Sequence, residues 1–125
     1  MVRWSPALPL LLAALAGTAR AQERPNPEGR LRELGLALPQ ASPPVANYVR
    51  AVRTGNLVFL AGHGECSNAL QGKVGRDVTI EQAYGSARNV GLCLLASLKA
   101  AIGDLDRVTR IVKVLGMVNS AEDFT

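Results

Sequence analysis

Scarcity is the first property of this 125-residue sequence. It holds one histidine, two cysteines and five aromatic residues (one Trp, two Tyr, two Phe). A single histidine excludes a histidine-rich metal centre, and one His with one Cys and one Glu makes a poor zinc site. Two cysteines are too few for a disulfide framework. So few aromatics leave a core built mostly from Val, Leu, Ile and Ala, and no set of stacking platforms for single-stranded nucleic acid. Charge of one sign is also sparse. The formal +4 includes Arg3 and Arg20, and without them 12 basic groups face 10 acidic ones, a balance of +2. No basic groove for nucleic acid emerges from that. The longest apolar run near the N-terminus, Ala7 to Gly17, falls short of the roughly 20 residues a bilayer span requires.

That short run has the shape of an export signal. Arg3 provides a positive start, Leu10, Leu11, Leu12 and Leu15 fill the apolar centre, and Ala19-Arg20-Ala21 gives a small-x-small cleavage pattern. Residues 1–21 are expected to be a secretory signal peptide, placing the mature chain in the periplasm or outside the cell. A misplaced start codon or an apolar N-terminal helix of the domain are the alternatives. Residues 22–43 read as an extended leader with Pro25, Pro27, Pro39 and Pro43, in which a short helix around Leu31-Arg32-Glu33-Leu34 is weakened by Gly35.

The remainder, residues 44–125, has the periodicities of one α/β domain. Tyr48 to Arg53 alternates as a strand. Arg53-Thr54-Gly55-Asn56 is a turn, and Leu57 to Ala61 a continuous apolar strand. Glycines follow at Gly62 and Gly64, around His63. A polar loop holds Cys66, and a short strand is expected near Val74. Thr79 and Gln82 form a capping box for a long helix that Gly103 ends. Its apolar stripe runs through Ala83, Ala87, Val90, Leu94, Leu98 and Ala101, with Ser97 and Lys99 on the polar circumference. Val108 to Val118 reads as a third, central strand, parallel to its neighbour across the helix. A further helix start at Ser120-Ala121-Glu122-Asp123 leads to the expectation that a C-terminal portion of the domain is missing. Cys66 in a loop and Cys93 in a helix are expected to be unpaired thiols.

Several stretches carry a resemblance: Asn47-Tyr48-Val49, Thr54 through His63, Gly72-Lys73-Val74-Gly75, Ala87-Arg88-Asn89-Val90, and Gly103 through Val108 with Asp123-Phe124. In order and spacing they resemble the Rid family, the YjgF-like reactive intermediate deaminases also known as endoribonuclease L-PSP. The leader with Pro27-Glu28-Gly29-Arg30-Leu31 resembles a divergent branch. The resemblance implies a chorismate-mutase-like α/β (α+β) fold with a mixed sheet covered by helices on one face. It also implies a homotrimer with ligand sites between subunits, no metal and no organic cofactor.

The activity implied is hydrolysis of enamine or imine intermediates to 2-oxo acids and ammonia, as in 2-iminobutanoate/2-iminopropanoate deaminases. The alternative is a non-catalytic trimer that binds a small carboxylate-bearing molecule; a ribonuclease has less behind it. Neither nucleic acid nor, after signal cleavage, a membrane is an expected partner. Carried over residue by residue, the substrate-binding positions are Tyr48, Ala61, Gly62 and His63. Ala61 stands where the family has serine, and His63 where glutamine is common. The family's carboxylate-gripping arginine and its acidic residue belong to the portion expected to be missing, so the catalytic residues are unknown.

From the residues alone, each position also has a plainer role. Tyr48 is a strand side chain or a ligand phenol. His63 is a loop residue at a pocket rim, or an acid/base group needing a partner such as Glu65. Cys66 beside it is a conceivable nucleophile lacking an orienting third group. Arg50 and Arg53 are solvated edge charges or bidentate carboxylate partners.

Overall fold

The computed structural model describes residues 26–124. Residues 1–21, read as a signal peptide, lie outside the described residues. The element order is α1 (Pro27–Glu33), β1 (Ala51–Thr54), β2 (Leu57–Leu60), α2 (Ile80–Ile102), then a single 3-10 turn over Leu105–Arg107. This is a mixed α+β architecture, and no described helix is long and apolar enough to cross a membrane.

The strands form an antiparallel hairpin with Ala51 opposite Leu60 and Thr54 opposite Leu57. Gly55 turns the chain with φ +55, a conformation that disfavours a Cβ. Alternation then sorts the side chains. Val58 and Leu60 are half-buried on the side that packs on α2, whereas Val52, Leu57 and Phe59 are exposed.

The helix α2 forms where its start signal lies. Gln82 N–H donates to Thr79 Oγ1 at 3.2 Å, and Thr79 N–H donates to Gln82 Oε1 at 2.9 Å. Gly103 ends it with φ +87, its N–H bonded to Lys99 O. At 23 residues the helix is roughly 35 Å long. The core gathers on its inner face: Cys93, Ala96, Ser97 and Leu98 are buried, with Val74, Val78 and Leu105 around them. The buried stripe is therefore rotated from the one the apolar spacing predicts. Ala87 and Ala101 are exposed, and Ser97, expected on the polar circumference, is buried. A hydroxyl can take an inward position when a partner satisfies it, and Ser97 has one (below).

Two further expectations are corrected. The leader is helical from Pro27, because Asn26 caps the first turn by accepting from Gly29 N–H at 2.7 Å and proline suits the first helical position. Glu28 then ties α1 to the far end of α2. Its carboxylate accepts from Lys99 Nζ at 2.8 Å and from Leu105 N–H at 3.2 Å, and its own N–H donates to Asp106 Oδ1 at 3.2 Å. Val108 to Val118, expected as a central strand, pairs with nothing among the described residues, and Ile111 through Val118 are all exposed. A strand needs a neighbour for its N–H and C=O groups, and the two-stranded hairpin offers none here. The parallel contact expected across α2 survives as one bridge between Val74 and Ser120. There Val74 N–H donates to Asn119 O and Ala121 N–H to Val74 O, both at 2.9 Å.

Candidate functional site

Of the sequence-predicted positions, Ala61, Gly62 and His63 follow one another where the chain leaves β2. Ala61 N–H donates to Arg50 O at 2.9 Å, extending the ladder one residue beyond β2. The chain then leaves the sheet, and the exposed Gly62 and Gly64 flank a half-buried His63 that turns toward α2. His63 Nδ1 lies 2.8 Å from Ala61 O, and Nε2 lies 2.7 Å from Ser97 Oγ. A carbonyl can only accept, so Nδ1 carries the proton. In the neutral ring Nε2 is then an acceptor, and the Ser97 hydroxyl donates to it. Ser97 is 4% exposed, so no substrate reaches its oxygen. Glu65, the acid/base partner considered from sequence, makes no hydrogen bond to the imidazole among the described residues.

Three residues further on, Cys66 is disulfide-bonded to Cys93, with Cα atoms 5.9 Å apart. The expectation of unpaired thiols is thus overturned. The loop after β2 doubles back onto the helix instead of projecting into solvent, and Cys93 faces it from the buried side of α2. A nucleophilic role for Cys66 falls with its free thiol. Cys66 N–H also donates to Cys93 Sγ at 2.9 Å. Closing a loop with a sequence separation of 27 contributes about 3.5 kcal/mol on the chain-entropy view.

The other predicted positions hold less. Both backbone groups of Ala61 are engaged, by Arg50 and by His63. Gly62 makes no hydrogen bond among the described residues and is open to solvent. Tyr48 precedes β1, is 37% exposed, and has no side-chain hydrogen bond among the described residues. It shares the hairpin end with Ala61 but is not joined to it.

Arg53 bonds the nearby Gly55 O at 3.1 Å and is a surface charge. Arg50 is different. Its Nη2 donates to Pro43 O, while its Nε is buried without a partner among the described residues. The sequence named Arg50 only together with Arg53, as edge charges or carboxylate partners, and it placed Ser97 on the polar circumference, although Ser97 stands four positions after Cys93 and so on its face of the helix.

Two concavities of about 310 Å³ lie near these elements. One adjoins the disulfide, walled by Ala37, Leu38, Pro39, Asn89 and Leu92. The other is at the start of α2, between Gly75 and Glu81, and contains none of the predicted positions. Of the carboxyl groups with displaced titration, Asp77 and Glu81 line this second concavity and Glu28 lies apart from both. Lys99 and the Leu105 N–H hold Glu28 below the usual carboxylate range. Arg76, then the Lys73 N–H, bring Asp77 down to about 2.

No family model matches the chain. It is 36% identical over 98 residues to Protein TCP17 of Trypanosoma cruzi, an alignment covering 76% of this chain and 61% of that protein. The fold superposes with a TM-score of 0.61 on a crystal structure named as a "putative endoribonuclease" from Shewanella oneidensis MR-1. The two are 32% identical, and the match covers 66% of this chain and 57% of the other. The chain spans about three fifths of the length of these relatives.

Proposed function

This chain belongs to the Rid/YjgF family of L-PSP-type proteins, and on that premise we propose that it binds a small carboxylate-bearing molecule at the end of the β1–β2 hairpin. The observation that carries this reading is Arg50. A buried guanidinium N–H without a partner is destabilising by about 1–3 kcal/mol, and a carboxylate is the acceptor whose geometry suits it. Arg50 is joined through its backbone to Ala61, next in sequence to the open Gly62, while its guanidinium reaches back to Pro43 O on the chain leading into β1.

Binding without catalysis accounts for the local chemistry better than hydrolysis does. Deamination of an enamine or imine to a 2-oxo acid and ammonia needs a group that moves a proton to or from water. Both ring nitrogens of His63 are committed to Ala61 and Ser97, and Ala61 has no hydroxyl. A ribonuclease, the activity in the relative's name, would ask still more of this single engaged histidine. The homotrimer is part of the proposal, supported by the exposed Val52, Leu57 and Phe59 on the hairpin's outer side. Export is another part, supported by a disulfide of the kind oxidising compartments maintain.

Isothermal titration with pyruvate as the probe tests the reading. The unaltered chain is expected to bind, and Arg50→Gln to lose about ten- to a hundredfold in affinity, the range for a charge-assisted bond. No heat of binding from the unaltered chain, or equal affinity in the variant, would overturn it.

A further inference from the structure

The segment that leaves β2 is fastened to α2 at two places, and the two fastenings match in spacing. Cys93 and Ser97 are i and i+4 on one buried face, about 6 Å apart along the helix axis. His63 and Cys66, three residues apart in the loop, meet them one to one: the imidazole bonds Ser97 and the sulfur bonds Cys93. One fastening is a single hydrogen bond. Such a bond contributes little on its own, and Gly62 and Gly64 on either side of His63 give the segment wide backbone freedom. The other is covalent and exists in only one oxidation state.

We propose that oxidation of Cys66 and Cys93 completes the candidate site: the disulfide is the latch that holds His63 against Ser97, and so fixes its Nδ1–H tautomer and its position beside Gly62. Oxidation removes two electrons and two protons from the thiols, forms the S–S bond, and reduces a disulfide oxidant to two thiols. The reverse step has a preferred direction. Cys66 is half-buried at the edge of the groove, whereas Cys93 is 2% exposed, so an incoming thiolate meets the Cys66 sulfur. The S–S bond breaks with its electron pair on Cys93 Sγ, where the Cys66 N–H already points and stabilises the leaving thiolate. The second thiol of a dithiol reductant then displaces itself from Cys66 as a cyclic disulfide, and both cysteines end as thiols.

With the latch open, the loop holding His63 has lost its covalent anchor and the hydrogen bond to Ser97 no longer persists. The chain would then hold its site ready only after reaching an oxidising environment. The latch stands on geometry alone; its effect on ligand rests on the carboxylate-binding reading above.

His63 is the sole histidine, so its ring nitrogens report without ambiguity. The experiment labels histidine with an NMR-active nitrogen isotope in the whole chain and records the ring signals before and after dithiothreitol. Circular dichroism follows α2, and pyruvate titration is run on both forms. Oxidised protein should show a protonated Nδ1 and an unprotonated Nε2. Reduced protein should show averaged signals with helix content unchanged, and oxidised Ser97→Ala should resemble it. Two results overturn the latch: a fixed tautomer that survives reduction, or a loss of helix that makes the disulfide a general staple. Where the tautomer responds but neither form binds pyruvate, the latch stands and the carboxylate reading fails. Where both forms bind pyruvate equally, the latch does not govern the site and the proposal falls.

Discussion

Leu105 and Leu115 carry the same side chain on the same short stretch of sequence, yet one is 1% exposed and the other 76%. The first follows a helix that satisfies its own backbone, and it is pressed into the core where α2 ends and α1 docks. The second lies in a segment whose backbone has no strand beside it. Both regions carry apolar side chains in sequence. They differ in whether an element can form before its neighbour is present. A helix closes its hydrogen bonds internally, so the long α2 stands and gathers a core around it; an extended segment cannot.

The contrast is tested most severely by making the same change on both sides of it. Leu105→Ala should reduce unfolding free energy by about 2–5 kcal/mol in urea titration, the range for a filled core position. Leu115→Ala should change it by less than about 0.5 kcal/mol, as at exposed sites. Equal effects would mean that Val108 to Val118 is covered in solution.

The independence of α2 can be probed at its first turn. Thr79→Ala removes one half of the capping box and should lower stability by about 1 kcal/mol, read from the same titration. A change within error would show that packing alone sets the helix start.

A smaller effect concerns the turn that feeds α2. Asp77 titrates at about 2 when folded, held down chiefly by Arg76, against an ordinary value of 3.8. Its contribution is therefore present above about pH 4 and is lost as pH falls toward about 2. Both partners are well exposed, so the size is modest and salt-sensitive. Urea midpoints followed over that window should decline less in Asp77→Asn than in the unaltered chain.

What the sequence disclosed divides along the same line. The capping box, the glycine that ends α2 and the turn between β1 and β2 are local, and each appears where its residues place it. The pattern Thr54 to His63 disclosed the family and the candidate positions at the hairpin's end. The rotation of the buried stripe was not legible, because Ser97 is inward only through a partner 34 residues away, and a polar residue on a helix reads as solvent-facing. The disulfide was missed for the same reason: a loop's course back onto a helix has no periodicity. Arg50 was indistinguishable from Arg53 as an alternating edge charge until burial separated them. Val108 to Val118 was assigned a strand from its residue types, which describe what a pleated surface accepts and not whether one is available.

Glu28 sets an order of events. Its three bonds join residues 71, 77 and 78 positions apart, so α1 has no docking surface until α2 and the turn after it have been made. At about 5–20 residues per second of synthesis, that interval is on the order of ten seconds. Closing so long a loop also carries an entropic penalty that local elements do not face. The first helix in the chain is thus among the last to find its place.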